Sequence, residues 1–298
     1  MTRKKVLVVA DVTGWAWDKK ARALKQHLDG DEFQVDVAYM QHDRLPEGYD
    51  LYHLFEVYQV NAQPLPHGAR FVTGITAHVW RTWEMRHGAG TVRGWAAGAV
   101  AVHANSVMLR DEFSAHLGRP VYYLPNGVDE AFYQRYRPRS QDEHLVVGHV
   151  GKPNPRKGCE EFIRPACAAA GVELREIRRT SKDAFSAEQM REFYQDLHAL
   201  VVASDMDGTP NPAFEAAACE IAIVSNPIGN MPEFLAAGEG GVLVERSVDA
   251  YVSALCSLKQ NMIGCIERGR EARRVVERDW TWAKMAQNYA RMWREVIA

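Results

Sequence analysis

Two carboxylates, Asp207 and Glu215, stand eight positions apart across a loop rich in Gly, Pro and Asp. A carboxylate so placed can accept two hydrogen bonds from the cis 2′- and 3′-hydroxyls of a ribose. Arg156 and Lys157 come just before a helix-patterned segment, 159–170. Cations there oppose the helix dipole. The placement makes sense when an anion such as a diphosphate lies between them and the helix. Asp205-Met206-Asp207 also reads Asp-x-Asp, a spacing that can hold Mg²⁺ or Mn²⁺ on a diphosphate. With Asn211 as N-cap and Pro212 at the first helical position, Glu215 falls one residue beyond the capping-box position. Its place in the helix start therefore does not account for it. His78 follows the strand-like run 71–76, where a lone histidine is more often structural than catalytic.

Elements must hold these groups. The apolar runs 199–203 and 221–225 read as strands, each feeding a Gly/Pro loop and a helix start, the second near Pro232. Repeated strand–loop–helix units present helix N-termini at the carboxyl edge of a parallel sheet, where ligands bind. Upstream, 6–10 is a continuous apolar strand, as in a sheet buried on both faces. It ends in Asp11–Trp15, with Gly14 at the turn, and a helix follows over 16–28. Further strands are expected at 33–39, 49–54, 71–76, 99–104 and 121–124, and after them 145–150, 172–177 and 242–244. Helices are expected at 106–117, 187–197, 248–261 and 265–278, and a last one at 280–298. Such alternation argues for a parallel α/β sheet. The polar stretch 135–144 reads as a linker. In the segment Trp80–Trp95, aromatics interleave with Arg81, Arg86, His87 and Arg93. Sugar stacking, an anionic acceptor and an amphipathic helix docked on the sheet compete there, and the helix is favoured because large aromatics mostly fill cores.

The pattern acidic-Gly-x-x-x-Pro-x-x-Glu-Ala-x-Ala, running from Asp207 through Pro212, Glu215, Ala216 and Ala218, resembles the acidic signature of retaining GT-B glycosyltransferases of family 4, the glycosyl transferases group 1. Gly229, Pro232 and Glu233 match the Gly-Gly-x-Pro-Glu loop that follows it. Pro155-Arg156-Lys157-Gly158 is similar to that family's diphosphate loop, and Pro125–Asp129 to its Pro-Asn-Gly-Val-Asp. Two departures stand out: Asp207 replaces the usual Glu, and Asn230 replaces a glycine. The resemblance implies two Rossmann-like α/β domains facing a cleft, over residues 1–135 on the acceptor side and 145–279 for the nucleotide sugar. A C-terminal helix, 280–298, crosses back to the first domain. It further implies that Arg156 and Lys157 hold the donor diphosphate with the helix start at Gly229, Asn230 and Met231. Glu215 and Asn211 bind the donor, Asp207 and His78 position the sugar, and Gly14 lies over the phosphates.

The composition, 47% hydrophobic and 25% charged, is that of a soluble globular protein, and 298 residues suit two domains. A net charge of −2 gives no global drive toward nucleic acid or anionic membrane, although peripheral membrane contact through a local patch stays open. Five cysteines without CxxC or metal spacing read as buried reduced thiols of a cytoplasmic protein. The apolar run after Lys5 stops at Asp11, too short for a signal sequence. The function that the resemblance implies is metal- and cofactor-independent, retaining transfer of a hexose from a UDP- or GDP-sugar to an unidentified acceptor. The alternatives are a metal-dependent Asp-x-Asp transferase, a non-catalytic nucleotide-sugar-binding protein and, with low weight, glycosylation of modified nucleic acid.

Overall fold

The computed structural model describes residues 3–40, 44–139, 144–178, 185–236 and 238–298. The chain forms two compact units, Met1–Gly127 with Trp282–Ala298, and Val128–Thr281. The change of unit therefore comes ahead of the expected linker. Arg135 shows why, since its guanidinium donates to the carbonyls of Tyr194, Gln195, Leu197 and Cys219 and ties that stretch to the second unit. Positions 140–143 of the expected linker lie outside the described residues.

The first unit contains β1 (Lys4–Ala10), α1 (Ala16–Leu28), β2 (Phe33–Tyr39), β3 (Leu51–Leu54), α2 (Val57–Ala62), β4 (Phe71–Ile75), α3 (Trp80–His87), α4 (Thr91–Ala96), β5 (Ala101–Ala104), α5 (Val107–Leu117) and β6 (Tyr122–Tyr123). Among the described residues its strands form one parallel sheet in the order β2-β1-β3-β4-β5-β6. Val6, Val8 and Ala10 enter one core and Leu7 and Val9 the other, which is why β1 is apolar at every one of these positions. The segment expected as one helix, Trp80–Trp95, is two. Gly88 and Gly90 adopt φ of +102° and +87° between them, a backbone that other residues rarely take. Trp80 is buried and Trp83 packs on Trp95, so the aromatics mainly serve packing.

The second unit contains β7 (Val146–Gly151), a 3₁₀ turn (Pro155–Lys157), a π turn (Cys159–Ile163), α6 (Arg164–Ala170), β8 (Glu173–Arg178), α7 (Ala187–Gln195), β9 (Ala199–Val202), α8 (Asn211–Ala218), β10 (Ala222–Ser225), α9 (Met231–Phe234), β11 (Gly241–Leu243), α10 (Val248–Gln260) and α11 (Met262–Asp279). The order is β11-β10-β9-β7-β8, again all parallel. The π turn has a local cause. Pro165, at the start of α6, has no N–H to give to residue 161, so the α-helical ladder cannot run unbroken through this segment. Ile163 N instead reaches Gly158 O at 3.2 Å.

The last helix, α12 (Trp282–Ile297), starts two residues later than expected, because Trp280 closes α11 and packs on Phe214 and Phe234. Helix α12 belongs to the first unit. There Tyr289 donates to Leu124 O at 2.9 Å, and Trp293 Nε1 donates to His53 Nδ1 at 3.0 Å. Cys167, Cys219 and Cys265 are buried, whereas Cys159 and Cys256 are half-buried, against the expectation that all five are interior.

Candidate functional site

Strand order says where a ligand belongs. In each sheet the winding direction reverses at one place: between β1 and β3 in the first unit, and between β7 and β9 in the second. Loops leaving the carboxyl ends of two such strands diverge, and the crevice between them is the usual ligand site of open α/β sheets. In the second unit those loops are 152–158 and 203–210, the two that carry Arg156, Lys157 and Asp207.

The loops are tied to each other. Asp205 N donates to Arg156 O at 3.0 Å, and Lys157 Nζ lies 2.5 Å from Asp207 Oδ2. Asn154 starts the 3₁₀ turn by accepting from Arg156 N at 2.9 Å. Gly158 takes φ +66°, and a Cβ there would lie 2.4 Å from Ala203 O, so only glycine lets the two loops approach this closely. Among the described residues the Arg156 guanidinium has Met206 Sδ as its neighbour at 2.9 Å rather than a carboxylate. The loop after β10 joins from the other side. Asn230 N donates to Gly208 O at 3.1 Å, and a Cβ on Gly229 would meet Gly208 O at 2.3 Å.

Arg156, Lys157, Asp207, Gly229 and Asn230 are thus linked by direct contacts. Three expectations change. Helix α8 begins at Asn211, with Pro210 as N-cap and Pro212 second, because Pro212 needs no N–H in the first turn. Glu215 accordingly sits one position deeper in the helix than expected. Its Oε2 accepts from the hydroxyl of the buried Tyr194 at 2.8 Å, and burial with this nearby carboxylate holds the Tyr194 phenol well above its ordinary range. Of the amides expected to face a diphosphate, Asn230 N serves Gly208 O and Met231 N serves Ile228 O. Met231 itself is fully buried.

Gly14 and His78 lie in the first unit. Gly14, at φ +83°, donates its N–H to Asp18 Oδ2 at 2.7 Å, so a carboxylate of the same chain already occupies that amide. His78 is buried beyond the end of β4, with Nε2 3.6 Å from Glu112 Oε2. Residues missed from the sequence cluster near the first unit's own switch point. Glu56, next after Phe55 at the end of β3, caps α2 and accepts from Thr76 N and Oγ1, each at 3.0 Å. Burial raises its carboxyl to about 8, and burial lowers the Lys20 amine to about 7. Nothing in their spacing, 36 positions apart, announced that the two charges would influence each other; only the crossover through β2 brings them near.

Among the described residues no group of three or more His, Cys, Asp or Glu side chains is arranged to hold a metal ion, and no helix is long and apolar enough to cross a membrane.

This architecture, two doubly wound units, defines the chain as having the GT-B glycosyltransferase fold. Residues 128–261 match the model of the family described as Glycosyl transferases group 1. A curated relative, alpha-maltose-1-phosphate synthase of Mycolicibacterium smegmatis, is 30% identical over 223 residues. The match spans 60% of this chain and 57% of the relative, so the chain covers little more than half of that protein's length. Among solved structures, sucrose-phosphate synthase from Thermosynechococcus elongatus superposes with a TM-score of 0.75 at 14% identity, over 99% of both chains. Anabaena HepE, in complex with UDP and glucose, gives 0.73 at 13% identity over 98% of this chain and all of the other. At these identities the likeness is one of fold.

Proposed function

We propose that this protein is a glycosyltransferase that moves a sugar from a nucleoside diphosphate sugar to an acceptor, with retention of configuration and without a metal. The observation that carries the proposal is the joining of loops 152–158 and 203–210 at the switch point of the second sheet, which gathers Arg156, Lys157 and Asp207. The family match over this unit and the UDP-bound relative of the same fold support a nucleotide-sugar donor.

In this reading Lys157 leaves Asp207 for the diphosphate as the donor enters, and Arg156 joins it from Met206. Together they stabilise charge that grows on the departing diphosphate, an electrostatic role that needs no reorganisation at the moment of reaction. Asp207, released, takes a hydroxyl of the sugar. Glu215, braced by Tyr194, accepts from the ribose diol with Asn211 beside it. Lys157 on the Asp207 carboxylate supports the metal-free reading over an Asp-x-Asp ion site, because the ion would have to displace it. The cysteine pattern supports a cytoplasmic location.

The test is a panel of UDP-, GDP- and ADP-sugars screened by melting shift, followed by transfer assays with and without EDTA. A shift with one donor, and transfer that survives EDTA with the product anomer matching the donor, is expected. No shift with any donor would remove the proposal. Loss of activity in EDTA with recovery in Mn²⁺ would replace it by the metal-dependent mechanism. Binding without hydrolysis or transfer would leave a nucleotide-sugar-binding protein.

A further inference from the structure

Arg246 is a cation that the mechanism above leaves unused. It lies three residues beyond β11, at the carboxyl edge of the second sheet, where Val244 N still holds Ser225 O at 2.9 Å. Its Nε donates to Ala203 O at 2.8 Å, and its guanidinium carbon stands 4.3 Å from the centre of the Phe162 ring. These two neighbours locate it. Ala203 O is the carbonyl that a Cβ on Gly158 would strike, and Phe162 Cδ2 would lie 3.1 Å from the same Cβ. The guanidinium therefore sits beside Gly158, immediately after Arg156 and Lys157 and at the start of the helical segment Cys159–Ala170.

Its charge is not spent within the described residues. Arg246 forms no ion pair with a described carboxylate, and neither Nη1 nor Nη2 donates to a described residue. The Nε bond and the aromatic face fix the plane of the fork and leave the two Nη groups at its open end, the geometry that suits bidentate recognition of phosphate. A third cation at the head of a helix adds to the dipole's positive end and raises the cost of leaving the site without an anion.

We infer that Arg246 is a further anion-binding residue of the donor site, gripping the diphosphate through Nη1 and Nη2. The inference rests on the donor reading of this site. A role confined to structure, joining the end of β11 to β9, would use the Nε bond alone and would be indifferent to the ligand's charge.

Calorimetric titration of the full chain with UDP, GDP and ADP, with the corresponding monophosphates, and with the nucleosides separates these cases. Binding of none of the diphosphates by wild type overturns the donor reading and this inference with it. Given a diphosphate that binds, Arg246→Gln is expected to weaken it by about ten-fold or more, to weaken the monophosphate less, and to leave the nucleoside unchanged. Arg246→Lys, which keeps the charge and loses the fork, should recover part of the loss even where its melting temperature equals that of Arg246→Gln. Two results would overturn the inference while leaving the donor reading intact. One is Arg246→Gln binding the diphosphate like wild type. The other is equal loss of diphosphate, monophosphate and nucleoside in both variants, together with lowered melting temperatures, which marks a structural role.

Discussion

Lys157 and Asp207 form an ion pair that is only partly screened from water, with side-chain exposures of 27% and 17%. Such a pair contributes little to folding, of the order of 1 kcal/mol or less, so its interest lies in what replaces it. On the proposed mechanism Lys157→Ala removes a donor aimed at developing charge and is expected to lower kcat by about 10²- to 10³-fold, measured by steady-state transfer with the donor found in the panel. Asp207→Asn separates the two roles. It frees Lys157 from its carboxylate, so nucleoside diphosphate binding should tighten while kcat falls; equal weakening of both would refute the exchange of partners. Glu56 offers a pH signature of the first unit. Its folded carboxyl is raised to about 8 from an ordinary 4.5, chiefly by burial, so the stability it contributes is full below 4.5 and is lost as pH rises toward 8. Lys20, lowered to about 7 from 10.5, acts in the opposite sense above 7, because the unfolded chain then binds more protons. Stability should therefore decline by up to about 1.4 kcal/mol per pH unit between 4.5 and 7, hold level between 7 and 8 where the two slopes cancel, and recover above 8. Glu56→Gln keeps an oxygen for Thr76 N and Oγ1 and should flatten that decline in melting curves recorded from pH 5 to 7; an unchanged slope would show that Glu56 is not its source.

At the level of elements, loop glycines differ in ways that a sequence does not display. Gly14 and Gly158 both adopt positive φ, yet a Cβ on Gly14 meets nothing within 4 Å whereas one on Gly158 meets Ala203 O at 2.4 Å. Gly14→Ala should cost about 1 kcal/mol, the conformational term alone. Gly158→Ala adds a backbone clash and should cost roughly twice that or more while loosening the 152–158 loop; chemical denaturation of the two variants side by side gives the comparison. The same contrast explains what was legible beforehand. Strand β1 declared itself by unbroken apolarity, and the loops at 152–158 and 203–210 by charged and turn residues set between periodic segments. Helix α8 starts one residue earlier than the pattern predicts, since Asn and Pro at 211–212 fit two capping registers equally well. The split of 80–95 into α3 and α4 depends on two positive-φ glycines within a pattern that reads as one helix. Tyr194 beneath Glu215, Arg246 beside Gly158 and Lys20 near Glu56 are products of strand order, and no local period encodes them.

At the level of the whole molecule, the second unit is one continuous stretch, Val128–Thr281, whereas the first is assembled from both ends of the chain. The second unit has its own core, from Leu145 and Val147 through Ala199 and Val224 to Leu255 and Cys265, and it holds both loops of its switch point. A fragment of residues 128–281 should therefore fold by itself and bind the nucleoside diphosphate with about the affinity of the full chain, since domains with complete cores fold alone. The first unit lacks that independence. Helix α12 fills one face of its sheet with Ala286, Tyr289, Met292 and the fully buried Trp293, which also touches Phe33 edge-on at 5.4 Å. Removing a single such tryptophan costs about 3–5 kcal/mol, so losing the whole helix approaches the 5–15 kcal/mol that holds a typical domain folded. In a chain ending at Thr281, amides of β1 and β3 should lose hydrogen-exchange protection while those of β7 and β9 keep theirs, and diphosphate binding should persist. Retained protection at residues 4–10 would show that the first sheet is stable without α12. Lost protection at 146–151 would show that the second unit depends on that helix as well.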